Sequence, residues 1–291
     1  MPLARRYPAA VNARIRHPEP TEGAAARTVQ RRDGKGAHNV RDEVACEVPV
    51  ALHYNDQPFA VLMATPCDLA DLAVGFSLSE ALIPDAGELQ IEAIDESIDG
   101  IAIRMRIPEP RHAALADRQR ALPGYGGCGI CGSASIEAVL RAPPRIASTP
   151  RIAETALHRA LDALHECQPL NAATGATHAA GFADRSGTLL LVREDVGRHN
   201  ALDKLVGAMA TQGIDAGSGF AIVTSRASYE LAMKAAHVGI PLLAAISAPT
   251  TLAIALAESA DLCLVGFARD GHCAVYAHPE RLIPSSAEQS R

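Results

Sequence analysis

From about residue 41 the apolar positions fall into short runs with a two-residue beat. The segments "EVPVALHY" and "PFAVLMA" read as strands, and "GIAIRMRIP" as a further strand with alternating sides. Asp68 opens a different pattern. In "DLADLAVGFSLSEALI" the residues Leu69, Leu72, Ala73, Phe76, Ala81 and Leu82 fall close to one face of a helix. These elements predict a small N-terminal α+β domain over residues 41–123. Residues 1–40, rich in Arg, Pro, Gly and Ala with no apolar period, read as a mobile tail outside the fold.

Residues 136–286 predict a second, α/β domain. The helix "IEAVLRA", with Ser133 or Ser135 as its cap, stops at Pro143 and Pro144, and a longer helix is expected over 152–166. Beyond 188 the order becomes regular: strand "TLLLV", helix "ALDKLVGAMA", strand "FAIVT", helix "SYELAMKAAHVG", strand "PLLAAI", helix "TLAIALAESA", then strands "LCLVGF" and "CAVYAH". Strands alternating with helices imply right-handed crossovers and a largely parallel sheet. The chain is therefore read as α/β in class, α+β overall.

Parallel strands bring their carboxyl ends to one edge, where ligands of such folds bind. Here those ends read "REDVGRHN", "SRAS", "SAPTT" and "FARDGH". Asn200 is the candidate cap of the first following helix, and Ser225 or Ser228 of the second. Unpaired amides at those helix starts, with Arg198, His199, Arg226, Arg269 and His272 beside them, suit phosphate groups. Asp195 offers an acceptor to a base or sugar. Each loop taken singly reads more readily as an ordinary surface turn; four along one edge favour a large phosphorylated ligand.

Composition narrows the partners. The 33 acidic and 27 basic side chains leave a charge of -6, so no global positive field draws the chain to nucleic acid or an anionic membrane. Seven cysteines, an odd number without regular spacing apart from one close pair, fit a reducing compartment. The first twenty residues carry no apolar run long enough for a secretory signal, so a cytoplasmic location is expected. The most apolar stretch, 239–267, is broken by Pro249, Glu258 and Asp261, which suits buried helix and strand rather than a membrane span.

The close pair lies in "GYGGCGICGSAS", residues 124–135. "GCGICG" formally satisfies a dinucleotide fingerprint, but no apolar strand precedes it. Structural zinc needs two more ligands in a pair, and none follows. A deaminase zinc site needs H-x-E upstream of P-C-x-x-C, and the H-x-E tripeptides sit at His17 and His278 instead. No metal ligand set is assigned. A redox dithiol sits after a strand at a helix start, whereas Cys128 and Cys131 are flanked by glycine, the composition of a flexible arm able to carry a thiol into another protein.

Taken with "CGICG", the segments "REDVGRHNALDKLVG", "TSRASYELAMKAAHVGIPLLAAISAPTTLAIALAE" and "VGFARDGHCAVYAHPERL" closely resemble the formate dehydrogenase accessory sulfurtransferase family, FdhD, in motif order over about 41–286. The resemblance implies a cytoplasmic, homodimeric sulfur carrier with no permanently bound cofactor. It would take sulfur from a cysteine desulfurase of the IscS type and pass it to the molybdenum cofactor, bis(molybdopterin guanine dinucleotide), destined for the formate dehydrogenase catalytic subunit. The family's persulfide-forming cysteine carries over to Cys128, and its cofactor-binding segment to Phe267, Ala268, Arg269, Asp270, Gly271 and His272. Cys131 either attacks that persulfide or stands by. A C-terminal three-layer α/β/α domain similar to the cytidine deaminase fold is also implied. His272 departs from the Arg of many members, and Ala227 from a frequent Val.

Overall fold

The computed structural model describes residues 23–34, 36–120 and 142–284, and for 116–120 the backbone alone. Strand structure begins earlier than the composition suggests. Ala24–Asp33 (β1) and Gly36–Ala45 (β2) pair antiparallel from Ala24↔Ala45 to Asp33↔Gly36, so most of the described part of the expected 1–40 tail is a two-stranded ribbon. Its strands are polar and exposed on both faces, which leaves no apolar period to read.

The N-terminal sheet comprises β3 (Val48–Tyr54), β4 (Gln57–Ala64), β5 (Gln90–Ser97) and β6 (Gly100–Arg106) in the order β4-β3-β6-β5, with helix α1 (Leu69–Ser79) between β4 and β5 in sequence. Along β3 the alternate residues Val48, Val50, Leu52 and Tyr54 are buried, as a strand covered on one face requires. Leu69, Leu72, Ala73 and Phe76 of α1 supply the cover. Helix α2 (Glu109–Arg120) ends this part of the chain.

A short β7 (Ile152–Ala153), then α3 (Glu154–Glu166) and α4 (Pro169–Thr174), lead into a six-stranded sheet. Its members alternate with helices: β8 (His178–Asp184), β9 (Leu189–Asp195), α5 (Arg198–Thr211), β10 (Gly219–Val223), α6 (Tyr229–His237), β11 (Leu242–Ala245), α7 (Thr251–Ala260), β12 (Cys263–Arg269) and β13 (His272–Ala277). A last β14 (Leu282–Ile283) pairs with β7. The strand order is β13-β12-β11-β10-β8-β9, and only β10, β11 and β12 run parallel to their neighbours among themselves. This corrects the expectation of a largely parallel sheet. Strand β8, whose "HAAGFAD" is too rich in Ala and Gly to stand out, inserts antiparallel between β9 and β10, and β13 folds back on β12.

Because the order advances in one direction from β9 to β12, crossovers of one hand place α5, α6 and α7 on the same face. Their side chains meet Phe182, Ala221, Val223, Leu243 and Leu264 there. Helix α3 covers the other face against Phe220, Ile222, Leu242 and Val265. The central strands are thus buried on both sides in a three-layer, mixed α/β arrangement.

The two parts of the chain meet where α1 crosses α5 with backbone against backbone. A Cβ placed on Gly75 would lie 1.6 Å from Asp203 O, and one on Gly207 1.9 Å from Asp71 O. Only glycine permits that approach.

Candidate functional site

The loops that follow β10, β11 and β12 are tied side by side. Ser247 N–H donates to Ser225 O, Thr250 N–H to Ala227 O at 3.0 Å, and Phe267 N–H to Ser247 O at 3.2 Å. Gly266 permits this, since a Cβ there would meet Pro249 Cδ at 2.7 Å. "SRAS", "SAPTT" and the start of "FARDGH" therefore form one continuous rim, and "REDVGRHN" meets it where Arg198 and His199 approach Glu230 of α6. Ser228 caps α6 and Thr250 caps α7 through their hydroxyls. Asn200 does not cap α5. The helix begins at Arg198 with Gly197 at the cap and no side chain on its free amides.

Asp195 and Asn200 are turned inward, against the expectation that they face a ligand. Asp195 is fully buried. One of its oxygens accepts from Gly197 N–H at 2.7 Å and Asn200 Nδ2 at 3.0 Å; the other accepts from Thr65 N–H at 3.0 Å and lies 2.7 Å from Lys204 Nζ. A carboxylate has about four acceptor positions, so nothing is left for a base or sugar. Asn200 also donates to Met63 O at 2.8 Å, and Lys204 to Thr65 O at 3.0 Å. These side chains fasten the loop after β4 to the start of α5. That pairing is invisible in sequence because its halves are more than 125 positions apart.

Arg198 and His199 do reach the rim, but with a partner that sequence reasoning missed. Glu230, in the first turn of α6, lies 2.6 Å from His199 Nε2 and 3.8 Å from an Arg198 terminal nitrogen. The contact with His199, and then the nearby Arg198, hold the Glu230 carboxyl below its ordinary range. Arg198 Nε is buried without a hydrogen-bond partner among the described residues, a donor still available to an anion. His178, the first residue of β8, lies opposite Asp195 in the sheet register. Burial first, and then the nearby Arg198 charge, push its imidazole below the usual value. The only available signal for His178 was a lone histidine before an Ala-rich run.

Within 267–272 the six positions separate into roles. Ala268 is buried in the core under α3. Asp270 and Gly271 both have positive φ between the paired residues Arg269 and His272, the backbone of a tight two-residue hairpin turn. Phe267, Arg269 and His272 are exposed. Phe267 is 41% exposed and adopts φ 50, a strained conformation for a bulky residue, beside a bulge in β12. The bulge turns an aromatic face outward next to Arg269. Among the described residues Arg269 and Arg226 make no ion pair, so theirs are positive charges of the rim left without a salt-bridge partner, beside the equally unpaired Asp270. Ser225 is buried, with its hydroxyl on Arg226 O at 3.1 Å.

The family model for FdhD/NarQ matches residues 45–283. The chain belongs to the FdhD/NarQ family. It is 60% identical over 260 residues to the sulfur carrier protein FdhD of Xanthomonas campestris pv. campestris (strain B100), covering 89% of this chain and 92% of that one. To the sulfur carrier protein FdhD of Bordetella petrii it is 46% identical over 272 residues, with 92% and 98% covered. A crystal structure from Desulfotalea psychrophila, whose name proposes a formate dehydrogenase accessory role, superposes with a TM-score of 0.71 at 23% identity, over 89% of this chain and 99% of that one. That likeness establishes the shared fold.

For an FdhD/NarQ chain the thiols are the next question. Cys128 and Cys131 lie outside the described residues. Of the others, burial pushes Cys263 up to about 12, and burial also raises Cys67 and Cys273. Thiols held protonated in this way are poor nucleophiles at neutral pH. Cys46 is buried as well, and Cys167 is exposed. No helix among the described residues is long and apolar enough to cross a membrane.

Proposed function

We propose that this chain is a cytoplasmic, homodimeric sulfur carrier for formate dehydrogenase maturation. In this reading Cys128 takes sulfur from a cysteine desulfurase of the IscS type and hands it to bis(molybdopterin guanine dinucleotide) held at the carboxyl edge of the six-stranded sheet. The Cys128 thiolate attacks the outer sulfur of the donor's persulfide. The donor's thiolate leaves, and the sulfur stays on Cys128 as a persulfide that can be passed on. Cofactor and dehydrogenase are the acceptors, not residents.

The observation that carries the reading is the rim, in which Phe267 and Arg269 stand exposed after β12 and Arg198 Nε is unpartnered at the start of α5. An aromatic face for a guanine and charge-assisted donors for a diphosphate are the groups a nucleotide-ended cofactor needs. Reach is not an obstacle. The chain re-enters the core at Ile146, whose N–H donates to Ala260 O at the far end of α7. Even with "IEAVLRA" helical, the eighteen positions from Cys128 to Ile146 can reach roughly 45 Å, whereas β10 spans only about 17 Å. Incubation with a cysteine desulfurase and cysteine should add the mass of one sulfur atom to the Cys128 peptide. Cys128→Ala should then fail to activate formate dehydrogenase. Full activation by that variant would leave instead a chaperone that binds and inserts the cofactor without moving sulfur.

A further inference from the structure

On the face of the sheet away from α5, α6 and α7 lies a cluster that the sulfur-transfer reading does not use. Glu154 and His158 are one helical turn apart on α3, so both project from one side of it. Cys273, the second residue of β13, points from the edge of the sheet toward the same side, where it packs with Val275 against the α3 core. Glu154 Oε1 lies 3.5 Å from His158 Nε2 and 3.9 Å from Cys273 Sγ, and the three donor atoms all fall within 4.8 Å of one another. All three residues are half-buried.

These separations can be set against what a metal requires. With bonds of about 2.0–2.2 Å to nitrogen and oxygen and about 2.3 Å to sulfur, the edges of a tetrahedral zinc site are roughly 3.3–3.6 Å. The Glu154–His158 edge already has that length. The two edges to Cys273 need modest contraction, which side-chain rotation on a strand adjoining a hairpin turn can supply. An i,i+4 Glu–His pair would explain the first contact alone. It does not account for the third group, the Cys273 thiol, which donates to the same carboxylate oxygen and so places a sulfur on the pair.

We propose that Glu154, His158 and Cys273 form a three-ligand site for a divalent cation of the zinc type, with the fourth position open to water or an added ligand. One carboxylate, one thiolate and a neutral imidazole neutralise a doubly charged ion, which suits a half-buried position. The mixed oxygen, nitrogen and sulfur donors favour zinc or cobalt over magnesium or calcium. Binding releases the Cys273 thiol proton to solvent and forms the metal–sulfur bond, with no change of oxidation state. No sequence motif announces such a site, because its ligands are separated by 4 and 115 positions on a helix and a distant strand. Bound metal would clamp α3 to the β12–β13 hairpin whose turn presents Arg269 and His272. The site is separate from the cysteine pair, so its failure would leave the sulfur-carrier reading untouched.

Cobalt(II) is the probe, since zinc is spectroscopically silent. The full chain carrying Cys128→Ser and Cys131→Ser, which removes the close pair as a competitor, is titrated with cobalt(II). The expected result is one equivalent bound with a thiolate-to-cobalt charge-transfer band, bleached by added zinc. Cys273→Ser in that background should abolish the band, and His158→Gln should weaken binding by more than about tenfold. Zinc should raise the unfolding temperature of the parent but not of the Cys273→Ser variant. A band that survives Cys273→Ser, or the absence of any thiolate band, overturns the proposal. Folding of the variant is confirmed independently by its far-ultraviolet circular dichroism.

Discussion

Replacing Gly75 by alanine sets two effects of opposite sign against each other. Gly75 lies inside α1, where alanine is the better helix former by about 1 kcal/mol. If helix propensity decided the outcome, the variant would be more stable. The crossing with α5 argues otherwise. The added methyl would lie 1.6 Å from Asp203 O and 2.7 Å from Gly207 N. Restoring ordinary contact therefore requires the helices to part by roughly 1.5 Å or more. Both contacts are to helical backbone, which cannot swing aside as a side chain can.

That displacement falls on hydrogen bonds with no slack. Ser79 Oγ donates to Asp203 at 2.5 Å, Lys234 Nζ donates to both Asp203 oxygens at 2.9 and 3.0 Å, and His237 Nδ1 lies 2.7 Å from Ser79 O. Overpacking costs about 1–3 kcal/mol, and loosening a hydrogen bond to a charged group about 1.5–3 kcal/mol. Less the propensity gain, the net loss is about 3 kcal/mol. At about 2–4 °C per kcal/mol for a chain of this size, the unfolding temperature should fall by about 6–12 °C. Thermal unfolding followed by circular dichroism measures this directly. An unfolding temperature at or above that of the parent would show that the helices are not in backbone contact. Gly207→Ala should behave alike, because its methyl meets Asp71 O from the other side.

Asp195→Ala should cost about 3–5 kcal/mol, since it strands the fully buried Lys204 charge with only Thr65 O as partner among the described residues; a parent-like urea midpoint would contradict the fastening role assigned to it. GDP, as a fragment of the cofactor's nucleotide ends, should bind while AMP does not, and Arg269→Ala should weaken GDP about 10- to 100-fold for the loss of one charge-assisted contact. Arg198→Ala should cost less, because Glu230 already competes for that guanidinium; calorimetry returning equal losses, or no GDP binding, would dismiss this rim. His178 titrates below its unfolded value through burial and the Arg198 charge, so a diphosphate beside Arg198 should raise it again. Between the two values the complex takes up a proton, GDP affinity therefore rises as pH falls through the His178 value of the complex, and calorimetry in buffers of different ionisation heat should register that proton in the parent but not in His178→Ala.

The parts of the fold that were legible in sequence are those whose stability is written along one element. Helix α7 spans the ten residues of "TLAIALAESA", as its apolar run between Thr250 and Asp261 indicates. The alternation of β3 and the Ser228 cap of α6 were likewise local signals. What could not be read was what depends on a distant partner. Strand β8 carries Ala and Gly where pairing on both sides, not side-chain pattern, makes the strand. The β1–β2 ribbon rests on a backbone ladder. For the site, a loop of Arg, Asp, His and Asn has the same composition whether it meets phosphate or another part of the chain.

The segment from Arg193 to Gly207 makes that ambiguity concrete. Arg193 bonds Asp71, and Glu194 accepts the Leu170 and Asn171 amides at the start of α4. Asp195, Asn200 and Lys204 hold Met63 and Thr65 at the end of β4, Asp203 takes Ser79 and Lys234, and Gly207 admits the backbone of α1. Only Arg198 and His199 remain for the rim, and both share Glu230. Most of the segment is therefore a fastening between the two sheets. The same loop that anchors the N-terminal part through Asp195 sets the position of Arg198 three residues later. Loosening that anchor should shift the rim as well as the stability. A ligand that binds the rim should accordingly protect the α1–α5 crossing from opening, because both are held by one turn of chain.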